Sequence, residues 1–412
     1  MHKLNTNLNK NIKLPWKTLT IAIILNFFIW AYLFITPSME TILASNLHIS
    51  HFQTSLLFST PILMIALVAI PAGIIADKVG LKKTIGIGAI VACIGAVLRG
   101  TAPTYSSILL FSIIFGIGMG FTFANLPKLA RSCSSIEQTS SVMGFINGFG
   151  VLAGIGLALA ITVPIIYSFT NSYHDVFYIW AIPLIITTIL WWIVVDEPPC
   201  TINEPESGSG SMGLTEVLRS KTLWLLAFIL LLHNIFFYTW SGWIPTYLLE
   251  KGISMNISGL LTSIMLWVGI PTVILVPGLY SRINLSKKLL IVVPSLIFAF
   301  LALWIMPAAG FSILIIMIIA GIINILRFNT LLSLPVEIMP KKHSGVAGGV
   351  VIAIGYLGAV IGPSMAGQIL DITGSFQPIF MILAVLSLIT MGLALLLPKK
   401  TKTEVNNIIN SN

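Results

Sequence analysis

Arg327 stands inside IIAGIINILRFNTLLSLP, residues 318–335, a stretch with no other charge. Its guanidinium offers five N–H donors in a planar fork that matches a carboxylate or a similar oxyanion. Asn324 precedes it at the i, i+3 spacing that puts both on one helix face. His233, Asn234 and Tyr238 stand in another apolar stretch, Asn26 and Trp30 in a third, and Asn125 in a fourth. Asn234 with Tyr238, and Asn26 with Trp30, are i, i+4 pairs, so each pair projects from one side. Aromatic rings beside small polar groups suit a small, partly polar solute. The one positive charge points to an anion. His233 is the member of this set that titrates near neutral pH. Three alternatives stay open for energy coupling: a proton on His233, exchange, or none.

Each of these residues also has a structural use. Arg327 can snorkel toward headgroups. Asn26, Asn125 and Asn234 can bond to a neighbouring helix. Trp30 can be a packing or interface aromatic, and His233 a neutral core residue.

The elements that carry these residues follow from composition. Of 412 residues, 57% are hydrophobic and 8% are charged, against roughly 25% charged in soluble proteins. The mean hydropathy is +0.99. Lipid is the main solvent of such a chain. Twelve apolar spans are expected, at 18–44, 52–76, 84–100, 106–129, 139–168, 176–195, 221–248, 257–280, 288–306, 311–338, 346–370 and 377–397, each near the ~20 residues that cross a ~30 Å hydrocarbon core. They should be helices, because lipid offers the backbone no partner. The first is read as a membrane helix and not as a cleaved signal peptide. No Asp or Glu lies deep in any span; Glu40 and Glu337 are near helix ends.

With a cytoplasmic N-terminus, nineteen of the 22 Lys and Arg fall in inner segments. Arg99 and Lys251 then lie outside and Arg327 within the membrane. So strong a bias sets both termini in the cytoplasm. It also explains the net charge of +9 without nucleic acid. Cys93, Cys133 and Cys200 show no metal-ligand spacing, and free thiols are expected, with Cys133 and Cys200 in inner loops. NIS at Asn256 reads as a helix start. The flexible stretch DEPPCTINEPESGSGSMG, from Asp196, separates two halves of six spans. The domains expected are 1–195, a linker at 196–220, a second bundle at 221–398 and a tail at 399–412. GIIADKVGLKK after span two is echoed by GLYSRINLSKK after span eight. Repeated halves suggest two bundles that rock about a shared site.

GIIADKVGLKK resembles the signature loop of the major facilitator superfamily, matching at Gly73, Asp77, Lys78, Gly80, Lys82 and Lys83. The resemblance covers roughly residues 18–397. It implies an all-α membrane fold of twelve transmembrane helices in two pseudo-symmetric six-helix bundles, with spans one, four, seven and ten lining a cavity. It also implies that Asp77 helps latch the halves, and Arg131 is its expected partner. Arg282 and Leu285 replace Asp77 and Gly80 in the second copy, so a weaker latch is expected there. GAVIGPSMAG, residues 358–367, is a further match, whose glycines let span eleven approach a neighbour closely. Several stretches, YTWSGWIPTYLLEKGIS among them, look most like the cyanate and nitroimidazole transporter group. Unlike that group, span one has no arginine.

The function expected is secondary active or facilitated transport of a small organic solute, an anion first, by alternating access in the cell membrane. Symport with protons is one form of it. The runner-up is drug or metabolite efflux; a membrane sensor with a transporter-like fold is the alternative outside transport. No catalytic residues, metal or cofactor are expected. The partners expected are the solute and membrane lipid, with the chain acting as a monomer.

Overall fold

The computed structural model describes residues 15–134, 136–197, 218–283, 286–338 and 344–397. The helices, in chain order, are α1 (Trp16–Ser38), α2 (Glu40–Leu47), α3 (His51–Val79), α4 (Leu81–Thr101), α5 (Tyr105–Phe123), α6 (Leu126–Cys133), α7 (Ile136–Phe145), α8 (Ala153–Ile161), α9 (Ser168–Thr170), α10 (Tyr173–Val194), α11 (Lys221–Glu250), α12 (Met255–Ile283), α13 (Leu289–Trp304), α14 (Phe311–Ile338), α15 (Ser344–Thr373) and α16 (Gln377–Leu395). Eleven stretches are long and apolar enough to cross a membrane, and α13 is a shorter apolar helix. Together they account for the twelve spans. Large apolar side chains such as Ile70, Ile193, Phe300 and Phe311 face outward, a surface that lipid accepts and water would not.

Three expected spans are broken in the structure. The first ends at Pro37–Ser38 and restarts as α2 after Met39. The fourth breaks at Ala124–Asn125, where Pro127 opens α6. The fifth carries two π-helical turns, Ile146–Leu152 and Thr162–Tyr167. Pro164, which cannot donate to the helical ladder, lies in the second.

The chain divides into two compact units, residues 1–49 with 60–205, and residues 50–59 with 206–412. Inside the second unit, Asp371 accepts hydrogen bonds from the backbone N–H of His51 (2.8 Å) and Phe52 (2.9 Å), at the start of α3. The helix pairings repeat. In the first unit α1 packs on α8 and α10, and α4 on α5 and α10. In the second α11 packs on α15 and α16, and α13 on α14 and α16. Gly358 lets α15 lie against α11, where any side chain would press on the Leu231 carbonyl. The linker (196–220, apart from its ends), the tail (399–412), Cys200 and the side chains of Arg282 and Leu285 lie outside the described residues. Cys93 and Cys133 are free thiols. Cys133 is buried at the end of α6, not placed in an open loop.

Candidate functional site

In the second unit Arg327 is 1% exposed. Its Nε donates to Nδ1 of His233 (2.7 Å) and its Nη1 to Oγ of Ser295 (3.2 Å). The guanidinium carbon lies 4.4 Å from the centre of the Phe298 ring, a cation–π contact worth about 2 kcal/mol when desolvated. Nη2 has no hydrogen-bond partner among the described residues. Among the described residues no carboxylate pairs with Arg327, whose partners are an imidazole, a hydroxyl and a ring face. The side chain turns toward α11 and α13 and does not snorkel. Asn324, one turn earlier, is buried with an unpartnered Oδ1.

Of the three α11 residues, His233 alone meets the guanidinium. Its ring stacks with Phe237 and Phe328, at centroid distances of 6.5 and 5.5 Å. Asn234 donates from Nδ2 to the Gly355 carbonyl of α15 (2.9 Å). Tyr238 places its ring 6.3 Å from that of Tyr356, also on α15. One step along a helix turns a side chain by about 100°, so His233 and Asn234 serve different neighbours. Sequence reasoning missed Ser295 and Phe298. A lone serine and a phenylalanine in an apolar helix carry no signal that separates them from packing residues.

In the first unit, Asn26, Trp30 and Asn125 are all buried. Among the described residues neither Nδ2 nor Oδ1 of Asn26 has a partner, nor has Nε1 of Trp30. Asn26 sits against Gly150 in the first π turn, and Trp30 meets the Phe123 ring edge-on at 5.5 Å. Asn125, at the break between α5 and α6, donates to the carbonyls of Phe121 (2.8 Å) and Ala72 (3.4 Å), while its Oδ1 is unpartnered. A buried polar atom without a partner costs about 1–3 kcal/mol.

Arg99, in the last turn of α4, is fully buried, donating from Nη2 to Thr36 Oγ1 (2.6 Å) and stacked on Phe177 at 4.8 Å.

The signature loop is built as follows. Asp77 pairs with Lys128 (2.6 Å), which also donates to the Gly73 carbonyl (3.2 Å). Arg131, the partner expected, is exposed one turn further along α6. Lys78 and Lys83 are exposed. Gly80 has φ +98°. The N–H of Lys82 donates to Glu197 (3.2 Å), whose carboxylate lies where a side chain on residue 80 would go. Glu197 follows span six, and distance along the chain hid it.

A family model for the Major Facilitator Superfamily matches residues 19–363. The hexuronate transporter of Bacillus subtilis (strain 168) is 25% identical over 363 residues, 82% of this chain and 83% of its own. The 2-nitroimidazole transporter of Escherichia coli (strain K12) is 23% identical over 359 residues, 86% of this chain and 88% of its own. A crystal structure of a bacterial homolog to the human lysosomal transporter Spinster, inward-facing and unoccupied, superposes with a TM-score of 0.77 at 15% identity, covering 93% of this chain and 97% of that one. The signature loop, the twelve spans and the repeated helix pairing are thus those of a transporter of small solutes, and the chain belongs to the Major Facilitator Superfamily.

Proposed function

We propose that this transporter carries a small anion across the cell membrane, with Arg327 meeting its negative end and Asn324 beside it. One observation carries the reading: a fully buried guanidinium with an unpartnered Nη2 and no described carboxylate to offset it. An uncompensated buried charge is costly, and an anionic ligand removes that cost. A hexuronate, which the Bacillus relative is named for, is such an anion. Both termini are cytoplasmic, and Asp77 with Lys128 belongs to the gate. A neutral heterocycle is the second reading. The uncharged, unpartnered Asn26 and Trp30 favour it, as does the solute named for the Escherichia relative.

The test is a thermal-shift screen of the purified protein against glucuronate, acetate, nitrate, nucleobases and cationic drugs, since a ligand raises stability by mass action. An anion should raise the melting temperature of the wild type and not of Arg327→Gln. Stabilisation by cations alone would overturn the anion reading.

A further inference from the structure

We propose that His233 is the proton site of this transporter, and that the proton it takes up frees the Nε–Nη2 edge of Arg327 for the anion. The proposal rests on the reading of Arg327 as the anion site. A guanidinium only donates hydrogen bonds. Nδ1 of His233, 2.7 Å from Arg327 Nε, must therefore be the acceptor, and the imidazole is neutral with its hydrogen on Nε2. A proton from water on the loading side, added to the Nδ1 lone pair, would leave two donors facing each other. That hydrogen bond cannot survive, so Nε must turn to another acceptor.

The freed edge is already half open. Nε and Nη2 point their hydrogens the same way, and this is the side of a guanidinium that a carboxylate grips with both oxygens. Nη2 has no partner among the described residues. The bond from Nη1 to Ser295 and the Phe298 ring face hold the group in place meanwhile.

Charge then couples the two ligands. The empty site holds one positive charge. A proton without an anion makes two in a low-dielectric interior. An anion without a proton meets only Nη2. Proton and anion together restore a single net charge. An anion alone cancels the charge but is held by one nitrogen, so the proton strengthens anion binding by opening the second donor and by its own attraction for the anion, and the anion in turn offsets the added positive charge. Arg327 is the one charged group among the described residues that faces His233; on α12 and α14, which also pack on α11, the remaining ionisable residues are Tyr280, Arg282 and Glu337, whose side chains lie outside the described residues. Helix α13 brings Ser295 and Phe298, and α16 has no ionisable residue. On α15, Tyr356 lies against Tyr238, and Asp371 caps the start of α3. The other ionisable residues of α11, Lys221, Tyr238, Tyr247 and Glu250, lie further along that helix.

The test is calorimetric titration of the full chain with sodium glucuronate, acetate and nitrate, across a series of pH values and in two buffers of different ionisation heat. The wild type should take up about one proton per anion, and its affinity should fall about tenfold per pH unit as pH rises. His233→Asn puts a carbonyl oxygen at the place of Nδ1, which accepts from Arg327 but binds no proton. It should lose both the proton uptake and the pH slope. Binding that depends on Arg327 but takes up no proton in the wild type overturns the proposal, as does unchanged uptake in His233→Asn. If His233→Asn does not fold, the wild-type stoichiometry decides. If none of the three anions binds, or Arg327→Gln binds them like the wild type, the anion reading of Arg327 fails and the proton site falls with it.

Discussion

Arg327 is gripped by a ring, a hydroxyl and an imidazole, and that grip determines what substitutions there should do. Lysine keeps the charge but has neither the planar face for Phe298 nor the edge shared by two nitrogens. Arg327→Lys should weaken binding of the anion found in the shift screen by about 10–100-fold, since charge-assisted hydrogen bonds are worth about 1.5–3 kcal/mol each. Titration of the purified variant measures this, and unchanged affinity would remove the fork from the account. Asp77 poses the opposite case. Its pair with Lys128 is half in water, with side chains 52% and 31% exposed, and such pairs contribute at most about 1 kcal/mol. Asp77→Asn should therefore leave the melting temperature nearly unmoved while slowing transport in proteoliposomes. Wild-type rates would deny the pair a part in gating.

At the scale of elements, two glycines set how helices meet. Gly80 turns the chain from α3 to α4 with φ +98°, a conformation that costs a residue with a side chain of the order of 1–3 kcal/mol. A methyl group there would also displace Glu197 from the start of α4. Gly80→Ala should lower the melting temperature in detergent by several degrees, and no change would mean the turn relaxes freely. Gly358 is a matter of closeness. Helix α15 lies on α11 with no room for a side chain at that position. Gly358→Leu must push the helices apart and strain the Asn234–Gly355 bond. It should destabilise the protein more than Gly392→Leu, whose site has open space. A comparison of the two melting curves reads the difference directly.

For the whole molecule, the charge bias predicts which loops face the cytoplasm. Asn256 and Ser286 are exposed at opposite ends of the eighth span. In a background without Cys93, Cys133 and Cys200, an impermeant thiol reagent added to intact cells should label Asn256→Cys and spare Ser286→Cys. The reverse pattern would invert the topology.

The sequence by itself determined the twelve spans, the repeated halves and the signature loop. Hydrocarbon responds to runs of apolar residues and to the placement of lysine and arginine, both of which are linear properties of a chain. It also marked Arg327, Asn26 and Asn125 as unusual, because a polar group among apolar ones is visible without any fold. Only the tertiary structure decided what each of them touches. His233 lies 94 residues from Arg327 and Ser295 lies 32 away. Lys128 pairs with Asp77 in place of Arg131, and Asn234 turns from the guanidinium to α15. Arg99 sits inside its bundle and not at the surface. A helix points each side chain in a direction that the local sequence specifies. Which neighbour stands in that direction depends on how close the helices pack and how they are rotated, and those are set by contacts between residues far apart in the chain.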